Sequence, residues 1–162
     1  MTRWGHVAIA VLGGIAAALH VGKVPPAIPL LRSELGMDLV AAGWLMGLVS
    51  ALGAACGFVI GRFTDYLTHR RSMILGLALL IAGSLIGAAT LSELLLFASR
   101  VLESVGLIMV SVAAPGLIAS SIDPRDTGLA LALWGVWMPV GVAVMMMFSP
   151  FLLPGFGWQG SW

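Results

Sequence analysis

The chain has 162 residues, of which 60% are hydrophobic and 9% charged, and its formal net charge is +1. A soluble domain carries about a quarter charged residues, so this composition excludes one and indicates an integral membrane protein. No basic face and no aromatic-basic interleaving is present, which argues against a nucleic-acid partner.

Met1 to His6 is a short head carrying Arg3, followed by an apolar run from Val7 to Val24. A basic start, an apolar run and Ala16-Ala17-Ala18 also fit a cleavable signal peptide. The apolar character continues through Pro25, Pro26 and Pro29 to Arg32, so the expectation is a first spanning helix over about 7–31, loosened near its prolines. A polar link with Arg32, Glu34 and Asp38 leads to an uncharged run that predicts a second span over 39–61. Gly53, Gly57 and Gly61 recur there every four residues, a spacing that lines one helix face and predicts a groove for a neighbouring helix.

From Gly61 to Arg71 lies a charged island holding Arg62, Asp65, His69, Arg70 and Arg71, expected to be a tight turn between two spans. The third span is predicted over 72–92, with Gly76, Gly83 and Gly87 on it. The fourth, over 94–122, contains Arg100, Glu103 and Pro115-Gly116. Asp123-Pro124-Arg125-Asp126 is a second charged turn, and no charge follows it. A fifth span over 127–149 is expected to break at Pro150 and Pro154-Gly155, leaving 150–162 as an outer loop approaching a sixth helix. The fold class is therefore an all-α membrane protein of about five transmembrane helices. With alternating spans, Arg3, Arg62, Arg70, Arg71 and Arg125 share one side and Arg32 the other, which predicts a cytoplasmic amino terminus in a multi-pass protein of the bacterial inner membrane.

An ionisable side chain at membrane depth costs roughly 2.5 to 3.5 kcal/mol on insertion scales, so it faces a cavity or a partner. His20, Lys23, Arg100 and Glu103 are the candidates. His20 and Lys23, three apart, share a helix face and would present a positive site to an anionic solute, His20 being able to exchange a proton. The alternative is that Lys23 snorkels to the headgroups while His20 bonds a carbonyl. Arg100 and Glu103, also three apart, either neutralise each other or contribute to a cavity. Trp134 and Trp137 form a pocket wall at a bend or a lipid-facing pair. Met145, Met146 and Met147 point around a helix and read as packing, not as a metal site, and the lone Cys56 reads as apolar filler. No catalytic pairing, zinc spacing or phosphate loop is present, so no enzyme activity, metal or cofactor is expected.

Gly61-x-x-x-Asp65 followed by Arg70-Arg71, after a second apolar helix, resembles the signature loop of the major facilitator superfamily. Tyr66, Thr68 and His69 stand where that pattern usually carries Arg, Gly and Arg. Arg100 to Gly106 resembles the family's fourth-helix motif, with Ser104 in place of its first glycine, and Pro139-Val140-Gly141 a reduced form of its fifth-helix motif. The Gly-Lys-Val-Pro-Pro stretch from Gly22 and Ala42-Gly43-Trp44 look most like cyanate or nitrate/nitrite carriers. The resemblance implies the amino-terminal portion of a secondary transporter that moves a small solute by alternating access, with the Gly61–Arg71 loop as a conformational latch. Its implied partners are the lipid bilayer, the solute, and the missing carboxyl-terminal half or a second copy. A small non-transporting membrane protein that assembles with a partner through its glycine faces is the other reading.

Overall fold

In a bilayer every backbone N–H and C=O must be paired within its own segment, so apolar runs of this length fold as helices. The computed structural model describes residues 2–162, and all regular structure among them is helical. Five stretches are long and apolar enough to span a membrane: Trp4–Leu35, Leu39–Tyr66, His69–Ala89, Glu93–Ala119 and Pro124–Phe156.

The first stretch is broken in the middle. It comprises α1 (Trp4–Gly22) and α2 (Val24–Leu35), with Lys23 between them. Pro25 and Pro26 stand in the first turn of α2, where a missing N–H costs little, and there they restart the helix. Gly36, at φ 69°, ends α2 in the left-handed conformation that glycine adopts without strain. Asp38 then caps α3 (Leu39–Tyr66), its Oδ1 accepting from the Ala41 N–H at 2.7 Å. Thr68 caps α4 (His69–Ala89) in the same way, accepting from the Arg71 N–H at 3.3 Å. α5 (Glu93–Ala119) follows, then a short 3-10 turn at Pro124–Asp126, α6 (Thr127–Gly135), α7 (Trp137–Phe156) and a last 3-10 turn at Gln159–Ser161.

α5 lies at the centre, packed on α4, α3 and α1, while α7 packs along α1. Glycines set these two closest seams. A Cβ on Gly76 would lie 2.8 Å from the Gly106 carbonyl oxygen, and one on Gly106 would lie 2.5 Å from that of Gly76, so α4 and α5 meet backbone to backbone. A Cβ on Gly22 would meet the Val142 oxygen at 2.8 Å, and one on Gly141 the Ile15 oxygen at 2.5 Å, which closes α1 against α7. Many large apolar side chains elsewhere are exposed, among them Ile9, Phe58, Leu94 and Phe151, as suits a surface solvated by lipid.

Several expectations are revised. The charged island is not a turn over Gly61–Arg71: α3 continues through Asp65 to Tyr66 and only Leu67 and Thr68 lie between helices. The groove expected at Gly53, Gly57 and Gly61 holds no helix among the described residues, for nothing among them lies within 4 Å of where their Cβ atoms would be. The fifth span does not break at Pro150 or Pro154, both of which sit inside α7. Unwinding in lipid would expose more unpaired backbone than two proline gaps do. The closing segment folds back onto the bundle instead of running outward as a loop. Trp158 is fully buried among Val24, Leu31, Leu45 and Leu96, and its Nε1 donates to Glu34 at 2.9 Å.

Candidate functional site

The break between α1 and α2 leaves Lys23 at the point where α1's last carbonyls lose their helical partners. Lys23 is 2% exposed and does not snorkel to the headgroups. Its Nζ donates to Glu103 Oε1 at 2.6 Å and to Ser84 Oγ at 2.8 Å. Glu103, from α5, is 1% exposed and takes a second cation: Arg100 Nη1 donates to its other oxygen, Oε2, at 2.5 Å. The same Nη1 donates to the His20 carbonyl at 2.8 Å, so the guanidinium ties α5 to the end of α1. Ser84, on α4, donates to Glu103 Oε1 at 3.0 Å.

All four charge-bearing candidates thus meet at one place. His20 Nδ1 lies 3.2 Å from Ser84 Oγ, 3.3 Å from Lys23 Nζ and 3.5 Å from Glu103 Oε1. That nitrogen finds a donor in Lys23 or an acceptor in Glu103, whichever tautomer it adopts. His20 is the one member that is partly exposed, its side chain 21% open. Gly83 makes room for the carboxylate, because a Cβ there would sit 2.6 Å from Glu103 Cγ.

The charges do not balance. Lys23 and Arg100 carry +2 and Glu103 carries −1, so the buried group is +1 with His20 neutral. Such a surplus in a low dielectric is costly unless a further negative group approaches. One feature softens it at Lys23. Lys23 Nζ sits 4.6 Å from the Trp162 ring centroid, within reach of a cation–π interaction. Arg100 Nε, by contrast, is buried with no partner among the described residues. A cavity of about 280 Å³ opens beside the cluster, lined by His20, Lys23, Met145, Leu152 and Trp162 among others.

The remaining candidates lie apart from this cluster. Trp134 and Trp137 flank the α6–α7 junction and stack at 4.8 Å between centroids. Trp137 is buried with Ala17, Ala18, Leu80 and Val110, while the Trp134 ring lies over Gly14. They make an apolar wall on α1 and not a lipid-facing pair. In the loop region Gly61 lies within α3, and Asp65, Arg70 and Arg71 are exposed with no ion pair among the described residues. Met145 is buried and Met146 and Met147 exposed, the scatter expected of consecutive helical positions.

Sequence reasoning missed Ser84, Trp158 and Trp162. Ser84 carried a faint signal, as a hydroxyl in the middle of a span predicted to be apolar. The two tryptophans carried none, since nothing local says that the last residues return to the bundle.

The chain is similar to a protein named as a niacin/nicotinamide transporter of Bacillus subtilis, with 27% identity over 94% of this chain and 38% of the relative. It is 24% identical to the galactose-proton symporter of Escherichia coli K12, over 95% of this chain and 32% of the relative. It is 26% identical to the methylenomycin A resistance protein of Bacillus subtilis, over 91% and 32% respectively. The chain therefore spans between 32% and 38% of the length of these relatives. None of the three names supports the expected likeness to cyanate or nitrate/nitrite carriers, which rested on two short stretches. The Major Facilitator Superfamily model matches residues 9–162, and this multi-pass membrane chain belongs to that family.

Proposed function

We propose that this bundle forms one wall of a secondary transporter that moves a small, negatively charged solute by alternating access, with the His20–Lys23–Ser84–Arg100–Glu103 cluster as its substrate and coupling site. The observation that carries this reading is the surplus positive charge of the cluster beside an open cavity. A carboxylate entering that cavity would meet Lys23 and His20 and offset the surplus, and a neutral solute would not. His20 touches both Glu103 and the cavity, which supports a role for it in passing a proton between them.

Alternating access needs a second wall, supplied by more polypeptide or by another copy of this chain. The unfilled glycine face of α3 suits that wall. The same face favours the second reading, a non-transporting protein that assembles with a membrane partner there. Solute binding separates the two, because the assembly protein has no use for it.

We further propose a cytoplasmic amino terminus in the inner membrane. α1 and α4 begin, and α3 and α5 end, near Arg3, Arg62, Arg70, Arg71 and Arg125, the arginine-rich side that stays inside. With Cys56 replaced by alanine, Thr68→Cys should resist a membrane-impermeant maleimide on intact cells and react after lysis. Labelling on intact cells contradicts this orientation.

The solute reading is tested with nicotinate against nicotinamide, a pair that differs mainly in charge. Titrated into the purified chain, nicotinate should quench the Trp162 fluorescence that Trp162→Phe removes, and nicotinamide should have little effect. Equal responses to both, or none to either, contradict an anionic solute.

A further inference from the structure

A larger cavity lies away from the charged cluster. It is a groove of about 890 Å³ between α1 and α4 at the end where both helices begin. Ile9, Leu12 and Ala16 from α1 face Ile74 and Leu77 from α4 across it, and Leu117 of α5 contributes from behind. Ile9, Leu12 and Ile74 are each more than half exposed, so the groove opens sideways toward the lipid.

Its mouth has the opposite chemistry. Arg3, His6 and Arg70 line it, all three are exposed, and neither arginine pairs with a carboxylate among the described residues. Both helix amino termini also direct their positive ends there. The two guanidiniums are free to present paired donors to a phosphate. An apolar channel continuous with a cationic mouth matches a molecule with an anionic head and a hydrocarbon tail.

We propose that this groove is a binding site for an anionic phospholipid, its phosphate held by Arg3 and Arg70 and one acyl chain lying between Ile9, Leu12, Ile74 and Leu77. The site is independent of the transport reading, since it shares no residue with the cluster around Glu103. A second apolar helix would fill the same channel, but it would leave both guanidiniums without a counter-charge. The close helix seams of this molecule are built differently, on glycine against backbone. The anionic surface of a cytoplasmic leaflet strengthens binding by about fivefold per arginine, so two give about thirtyfold.

Native mass spectrometry of the chain in neutral detergent, titrated with phosphatidylglycerol or phosphatidylcholine, tests the site. The unaltered chain should retain phosphatidylglycerol several-fold better than phosphatidylcholine. Arg3→Gln with Arg70→Gln should bring the two lipids to parity, whereas Arg3→Lys with Arg70→Lys should keep most of the preference. Arg62→Gln, whose guanidinium lies near Tyr66 on α3, should leave it unchanged and controls for general loss of charge. Ile74→Trp should reduce retention of both lipids by filling the channel. Equal retention of the two lipids by the unaltered chain, or a preference that survives loss of both arginines, overturns the proposal. So does efficient cross-linking between copies bearing Ile9→Cys and Ile74→Cys in lipid bilayers, which would put a second chain in the groove.

Discussion

α3 and the α4–α5 pair carry glycines at similar helical spacings and end in opposite situations. Gly76, Gly83 and Gly106 are filled from across the seam, so that any Cβ would strike backbone or the Glu103 side chain. Gly53, Gly57 and Gly61 face open space. Spacing therefore reports that a helix can be approached closely, while the partner depends on what else the face offers. α4 and α5 also share a polar bond, from Ser84 to Glu103, that requires them to meet. α3 receives one bond from α4, from Ser72 Oγ to the Thr64 carbonyl at 3.3 Å, but only at its end beyond the glycines.

The sharpest way to break this contrast is to remove the group that holds the packed side together. Glu103→Gln leaves Lys23 and Arg100 buried together without a counter-charge, an effect of about 3 to 5 kcal/mol for a broken buried pair. Thermal unfolding of the purified chain should show a large fall in midpoint, and a midpoint near that of the unaltered protein would deny the cluster its structural role.

Next in size is Gly106→Ala. Its new methyl group would lie 2.5 Å from the Gly76 oxygen and must push α4 and α5 apart. Overpacking of this kind costs about 1 to 3 kcal/mol, readable as a lower melting midpoint with α-helical content intact. An unchanged midpoint would mean that the seam is looser than its geometry indicates.

A smaller loss is expected from Trp158→Phe, which keeps the ring in its apolar nest but removes the donor to Glu34. Hydrogen bonds to charged groups contribute about 1.5 to 3 kcal/mol, and Glu34 can turn to solvent, so the lower end applies. Faster proteolysis of the carboxyl-terminal segment would report it, and an unaltered cleavage rate would mean that the bond does not pin that segment.

The smallest effect completes the comparison. Gly57→Ala should stabilise the chain slightly, by about 0.4 to 1 kcal/mol, because the added methyl meets nothing and alanine favours the helix, and the melting midpoint should rise a little. A loss as large as that of Gly106→Ala would show a partner on α3 in the purified state.

How legible was this in the sequence? The helices were, because lipid leaves an apolar run no other structure and the charged turns mark its ends. The exact ends were not. α3 runs past Gly61 because Arg62 and Asp65 are tolerated on a helix near the membrane surface, where water solvates them. The four charged candidates stood out, since each is expensive at membrane depth. The pairing of Arg100 with Glu103 followed from their spacing. That of Lys23 with Glu103 spans 80 residues and depends on how α1 meets α5, which no local pattern encodes. Trp134 and Trp137 were visible as a pair, but only packing against Gly14 and Ala18 decides which way they face.

The central claim is that one carboxylate holds two buried cations in place, and a double-mutant cycle at Lys23 and Glu103 tests it most directly. Lys23→Met leaves the Arg100–Glu103 pair neutral and should be mild. Glu103→Gln should be severe, and adding Lys23→Met to it should recover at least about 1 kcal/mol, the coupling expected of residues in direct contact. If the two single changes cost the same and their losses simply add, the charges do not act as a unit and the account is wrong.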